Sequence, residues 1–284
     1  MSTDAPIVAL LTDFGLDDTY VGVMKGVIFG LCPHARIVDL THNISPQNIR
    51  QAALALLDSY AFFPERTVFL VVVDPGVGSE RRPLAVQAGG YCFVAPDNGV
   101  LSYALAQLPA AQSVELANTD FQLPFRSCTF HGRDVFAPAA AHLAAGAAMT
   151  DLGEPVSDLV RLPPPLLVRS ADGISGEVLY SDRFGNIITS IGTLTWESDS
   201  SLSLTGRFDS SLTLRVDAEG AAITIRNHTL RGIRPTYSAA HPGDILALVG
   251  SSGWLEIAVN QGSAVQKLGA LPGMQVHLMQ NESQ

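Results

Sequence analysis

The chain has 284 residues, of which 47% are hydrophobic and 15% charged, enough apolar surface to build a core and so to exclude disorder as a global description. Its formal charge is −10 and no run of Lys or Arg forms a basic stripe, which argues against a nucleic-acid partner. Cys32, Cys92 and Cys128 are widely spaced and lack any C-x-x-C, so neither a disulfide framework nor a zinc cluster is expected, and the compartment expected is the reducing cytoplasm. The start MSTDAPIVALLTDFG has no basic leader region, and no apolar run approaches the ~18 to 20 residues of a membrane span, so no membrane partner is expected.

In chain order, the first half alternates β-rich runs with helical patterns. Strands are expected at Ile7 to Leu11, Ile37 to Leu40 and Thr67 to Val73. Between the last two, SPQNIRQAALALLDSY predicts a crossover helix with Ser45 as N-cap, Pro46 in the first turn, and Ile49, Ala52, Ala53, Leu56 and Leu57 on the apolar face. Runs such as Val68 to Val73 are apolar at every position, as in a mainly parallel sheet covered on both faces. A helix from about Arg133 to Ala145 closes this α/β domain, placed at residues 1–162. Pro163 to Pro165 make residues 163–171 a stiff connector. Beyond it, Leu212 to Val216, Ala221 to Ile225 and Ile245 to Val249 alternate between turn residues, which predicts an all-β barrel or sandwich over residues 172–284. SDSSLSLTGRFDSS reads as a polar loop or edge.

Ligands of open α/β sheets sit beyond the carboxyl ends of the strands, and both such positions here hold an aspartate, Asp13 in LLTDFG and Asp74 in VVVDPGVG. Either could equally cap a turn. DPGVGSERR adds a glycine turn followed by Arg81 and Arg82, but it lacks the Walker spacing and any G-x-G-x-x-G opening a helix, so no nucleoside triphosphate or dinucleotide site is implied. His131 in FHGRD stands at a helix entrance, where ligand groups converge. The other histidines, His34, His42, His142, His228, His241 and His277, read as structural. No metal and no cofactor is expected, because the spacing of Asp13, Asp74 and His131 does not demand an ion. In the second domain DRFGN holds Asp182 and Asn186, and SSGWLEIAVNQGSA holds Ser251, Glu256 and Val259; on their own these read as turn chemistry.

Taken together, LLTDFGLDDTYVGVMKG, VVDPGVGSERR, FHGRDVFAPAAAHLA, DRFGN and SSGWLEIAVNQGSA resemble the S-adenosylmethionine hydroxide adenosyltransferases, also described as S-adenosylmethionine hydrolases, which are related to fluorinating and chlorinating enzymes. The resemblance spans essentially the whole chain. It implies a Rossmann-like first domain, a β-barrel second domain, and a homotrimer with sites between one subunit's first domain and its neighbour's second. It also implies hydrolysis of S-adenosylmethionine at ribose C5′, with the (R)-sulfonium epimer as one candidate substrate. Asp74, Arg81 and His131 match the family's water-handling triad and Asp13 the carboxylate that takes the ribose hydroxyls. Asp182 and Asn186 match the motif reaching ribose or methionine, and Ser251, Glu256 and Val259 the adenosine side. Where the halogenating relatives have Phe-Tyr-Ser this chain has Phe130-His131-Gly132, where they have Tyr it has Asp74, and where they have an aromatic it has Gln47. The competing readings are a halide-using adenosyltransferase on the same fold and a protein that binds adenosine without turnover.

Overall fold

The computed structural model describes residues 5–109 and 112–280, which divide into two compact units between Pro163 and Pro164. The first unit contains β1 (Ile7–Thr12), α1 (Tyr20–Leu31), β2 (Arg36–Thr41), α2 (Ile49–Leu57), β3 (Val68–Val72), β4 (Pro83–Ala88), β5 (Tyr91–Pro96), α3 (Ser102–Leu105), β6 (Gln112–Glu115) and α4 (Ala137–Ala144). Its six-stranded sheet has the order β2-β1-β3-β5-β4-β6. It is mixed: β2, β1, β3 and β5 run parallel, whereas the β4–β5 and β4–β6 pairs are antiparallel.

The sheet is covered on both faces, as its unbroken apolar runs require. Val8, Leu10, Val68, Leu70 and Val72 pack with Met24 and Ile28 of α1 and with Ala137, Ala140 and Ala141 of α4. The alternate residues Leu11, Phe69 and Phe93 are equally buried, and the Phe69 and Phe93 rings stack at 5.3 Å. Each such Leu or Phe stabilises the fold by roughly 1.5–3 kcal/mol.

The winding of the chain places the site. From β1 the chain steps to β2 on one side, and from β2 it returns across β1 to β3 on the other, so the connections after β1 and β3 diverge. At such a switch point a crevice opens beyond the carboxyl ends of the strands. β1 and β3 are direct neighbours, with Thr12 opposite Val72, so Asp13 and Asp74 leave adjacent strand ends.

Two local expectations are corrected. The cap of α2 is Asn48, whose side chain accepts from Gln51 N at 3.0 Å, and not Ser45. Gln47 has φ of 65°, which breaks the helical path after Pro46 and leaves Ser45 and Pro46 outside the helix. The helix expected from Arg133 begins instead as a π-helical turn, Gly132–Phe136, that runs into α4. Single π turns recur at functional sites, and this one directly follows His131.

The second unit contains β7 (Leu167–Ser170), β8 (Gly173–Ser181), β9 (Ile187–Thr189), β10 (Leu194–Ser198), β11 (Ser201–Thr205), β12 (Thr213–Asp217), β13 (Ala221–Ile225), β14 (His228–Arg231), β15 (Ile233–Arg234), β16 (Ile245–Val249), β17 (Leu255–Val259), α5 (Ala264–Leu268) and β18 (Gln275–Gln280). A nine-stranded sheet follows the order β14-β13-β18-β8-β9-β17-β16-β15, with β7 paired to β8. Because β14 also lies against β16, the sheet curls into a nearly closed barrel. The middle of the SDSSLSLTGRFDSS stretch is not a loop: Ser201–Thr205 is the central strand of a separate three-stranded sheet, β10-β11-β12, with Leu202 and Leu204 fully buried, whereas residues 206–211 are turn and loop as expected. Within 163–171, the Pro163 carbonyl accepts from Tyr103 OH at 2.9 Å, while Leu167–Ser170 form β7.

Candidate active site

The DPGVG turn folds Arg81 back onto Asp74. Val77 N donates to Asp74 O at 3.2 Å and Ser79 N to Gly76 O at 3.0 Å, closing two successive turns. Gly78 has φ of 79°, and a Cβ there would stand 2.6 Å from the Cys128 carbonyl oxygen. Only glycine therefore lets this turn pack against the loop that leads to His131.

Arg81 Nε donates to the Asp74 carboxylate oxygens at 2.9 and 3.1 Å, and Nη2 bridges Asp74 Oδ2 and His131 Nδ1, the latter at 2.8 Å. The guanidinium lies over the Phe136 ring, 5.1 Å from its centroid. Arg81 and Asp74 side chains are 8% and 6% exposed, so this is a buried ion pair and not a solvated surface contact. Arg81 Nη1 is buried with no hydrogen-bond partner among the described residues, leaving a cationic donor available to an oxygen ligand. Arg82 points elsewhere, holding Asp97 and Asp158 and so tying the chain near residue 158 to the sheet.

His131 is 3% exposed. Burial, then the Arg81 and Arg126 guanidinium charges, push its pKa down, against the opposing pull of Asp74 and Asp134. It is therefore neutral, and a neutral ring has one acceptor nitrogen. Two guanidinium donors face the ring, Arg81 Nη2 at Nδ1 (2.8 Å) and Arg126 Nε at Nε2 (3.3 Å), and a neutral ring accepts only one of them. The shorter contact assigns Nδ1 as the acceptor and leaves the proton on Nε2, with Arg126 the competing donor at that nitrogen.

Asp13 joins the same end of the sheet. Its Oδ2 accepts from Gln47 N at 2.7 Å, so the left-handed Gln47 serves the site through its backbone. Phe14, Tyr20 and Phe130 form a ring cluster with centroids 5.1 to 6.0 Å apart, which joins the Asp13 turn to the neighbour of His131. Gly132 is confined here as well, because an added Cβ would meet the Phe130 ring at 3.2 Å and Met24 Sδ at 3.3 Å. A cavity of about 740 Å³ lies at the opposite strand ends around Ile7, Arg36 and Val68, and is lined by none of these residues. Among the described residues no group of three or more His, Cys, Asp or Glu side chains is gathered to hold a metal ion.

In the second unit Asp182 organises the DRFGN turn. Its Oδ1 accepts from Phe184 N and Asn186 N at 2.9 and 2.8 Å, and its Oδ2 from Asn186 Nδ2 at 2.9 Å. Glu256, on the strand beside β9, is 6% exposed and accepts from Tyr237 OH at 2.6 Å. Burial and then the Asp182 charge raise the Glu256 pKa, partly opposed by the Tyr237 hydrogen bond. Burial and Glu256 push the Tyr237 phenol well above its ordinary range. Ser251 is exposed in the turn between β16 and β17. Val259 differs from the others: its side chain belongs to the hydrophobic core of this unit, and its carbonyl accepts from Gly262 N at 3.1 Å. Tyr237 was not legible in advance, since 19 residues separate it from Glu256 and no spacing rule links them.

Family models extend this picture over both units. The SAM hydroxide adenosyltransferase N-terminal domain matches residues 8–153 and the corresponding C-terminal domain residues 176–277. The chain is 40% identical to an (R)-S-adenosyl-L-methionine hydrolase of Salinispora tropica, covering 94% of this chain and 95% of that protein. It is 30% identical to a fluorinase of Actinopolyspora mzabensis, over 98% of each. The crystal structure of an uncharacterised conserved protein from Thermotoga maritima superposes with a TM-score of 0.84 at 35% identity, covering 96% of this chain and all of that one. With both domain models matched in order along one chain, the protein belongs to the SAM hydroxide adenosyltransferase family.

Proposed function

We propose that the protein is an (R)-S-adenosyl-L-methionine hydrolase, an enzyme that attacks ribose C5′ with water and releases adenosine and L-methionine. The observation that carries this reading is the Asp74–Arg81–His131 chain of hydrogen bonds at the end of β3, beside Asp13. Its support from likeness is the 40% identical Salinispora tropica hydrolase.

The chemistry follows from donors and acceptors. His131 Nε2–H and Arg81 Nη1–H are donors that orient the oxygen of a water, while Asp74 is the member of the trio with carboxylate lone pairs to spare. Asp74 therefore receives the water proton as the C5′–O bond forms and the C5′–S bond breaks. Neutral methionine leaves a sulfonium readily, so orientation and exclusion of solvent supply much of the rate. A carboxylate at this point disfavours a halide nucleophile by like-charge repulsion. Asp13 takes the ribose hydroxyls, Asp182 and Asn186 serve ribose or methionine, and Ser251, Glu256 and Val259 serve the adenosine side. No cofactor or metal enters the scheme. The first domain is read as Rossmann-like, the active form as a cytoplasmic homotrimer with sites shared between subunits.

Each separated sulfonium epimer, incubated with the protein and followed by chromatography, tests the assignment. Adenosine and methionine released faster from the (R) epimer support it, and no release from either epimer would overturn it. Asp13→Ala weakens adenosine binding about ten- to a hundred-fold, the worth of charge-assisted hydrogen bonds of roughly 1.5–3 kcal/mol. Unchanged affinity in calorimetry would remove Asp13 from the site. For the shared site, mixing and reassembling Asp74→Ala and Glu256→Ala chains restores part of the activity that each lacks alone; no recovery in mixed oligomers would count against it.

A further inference from the structure

His42 sits in a buried relay that ends on the Asp13 turn. The register between β1 and β2 shifts after the Leu10–Asp39 pair, so that Leu11 faces Thr41, and this irregularity brings His42 beside Thr12 at the end of β1. His42 is 3% exposed and Thr12 fully buried. Thr12 Oγ1 lies 2.8 Å from His42 Nδ1 and accepts from Phe14 N at 3.2 Å. The Asp39 carboxylate, which can only accept, lies beside Nε2 and favours the ring proton there, which leaves Nδ1 to accept from the Thr12 hydroxyl. Nε2 is 3.0 Å from Asp39 Oδ1, though off the axis of a good hydrogen bond, and Lys25 Nζ holds the other Asp39 oxygen at 2.6 Å. The His42 main chain adds a second tie, its carbonyl accepting from Gly15 N at 2.8 Å. Residues 12, 14 and 15 are thus all fixed to His42 or to its partner Thr12, and Asp13 is the residue they flank.

We propose that His42 is a positioning residue that, through Thr12, sets the Asp13 carboxylate for the ribose diol. The proposal rests on the ribose-binding reading of Asp13. The side-chain links are what it concerns, since the backbone tie to Gly15 survives any substitution at His42.

The test uses the full chain, with adenosine as probe in calorimetry, steady-state turnover of S-adenosylmethionine, and thermal unfolding. His42→Ala raises the adenosine Kd and the substrate KM about tenfold while kcat changes by less than about threefold. His42→Asn, whose amide occupies the place of Nδ1, returns both to within about threefold of the parent. Thr12→Val, close to isosteric, reproduces the loss. Unchanged adenosine affinity in folded His42→Ala, equal losses in the Ala and Asn variants at equal Tm, or a fall in kcat without a rise in KM would each overturn the proposal. If His42→Ala does not fold, unchanged affinity in Thr12→Val overturns it. Asp13→Ala separates the two failures: if it keeps its adenosine affinity, the ribose reading falls and takes the proposal with it. If Asp13→Ala loses affinity while the His42 and Thr12 variants keep theirs, the proposal alone falls.

Discussion

Asp74→Asn and His131→Ala each lower kcat by about 10²- to 10⁴-fold, the usual worth of a positioned proton acceptor or donor, with little change in adenosine affinity. Asn keeps the shape of Asp74 and removes the lone-pair basicity that accepts the water proton. His131→Ala removes the Nε2–H donor and leaves Arg81 Nη2 with Asp74 alone. The pH dependence has a definite sign. Burial and the flanking guanidinium groups of Arg81 and Arg126 depress the His131 pKa, so the ring stays neutral below the ordinary histidine value of about 6.5. The acid limb of kcat/KM therefore falls at lower pH than an unperturbed histidine would give, and a limb above that value would contradict a neutral donor. Stopped assays across pH, with adenosine Kd measured separately, distinguish loss of chemistry from loss of binding. An equal loss of both would reassign Asp74 and His131 to substrate binding.

Arg81→Met produces the largest effect on stability, about 3–5 kcal/mol, because it strands the buried Asp74 carboxylate without its counter-ion. The long apolar side chain keeps contact with Phe136, so the loss reads the charge and not the packing. Adding Asp74→Asn removes the stranded charge and recovers most of that stability, while activity remains lost. Urea unfolding of the single and double variants measures this, with the double variant expected to unfold at higher urea than Arg81→Met alone. A double variant as unstable as the single one would mean that Arg81 acts through packing.

The strand ends were legible because the chemistry is punctuated locally: Val68 to Val73 is wholly apolar and stops at Asp74, and Ile7 to Leu11 gives way within two residues to Asp13. The glycine turn after Asp74 and the FHGRD entrance carried their own signals, and both lie where the sheet reverses its winding. What was not legible depends on partners distant in sequence. Gln47 adopts a left-handed backbone and donates to Asp13, so the helix start moves to Asn48 for a reason no local cap preference contains. His42 looked like any other histidine until Thr12, 30 residues away, was placed against its ring. The division of labour between Arg81 and Arg82 depends on which of Asp74 and Asp97 each reaches. β11 was hidden by serines around Leu202 and Leu204, although the alternation that buries both leucines is present in SLSLT. Tyr237 and Glu256 meet only because one end of the barrel brings together a turn and a central strand.

Everything proposed for Asp74, Arg81 and His131 depends on water being the nucleophile at C5′. Turnover in ¹⁸O-labelled water with chloride or fluoride in excess, analysed by mass spectrometry, reads the nucleophile from the product itself. Adenosine carrying the label on its 5′ oxygen is expected, with no detectable 5′-halo-nucleoside at any salt concentration. Unlabelled adenosine, or halide products that rise with salt, would refute water attack.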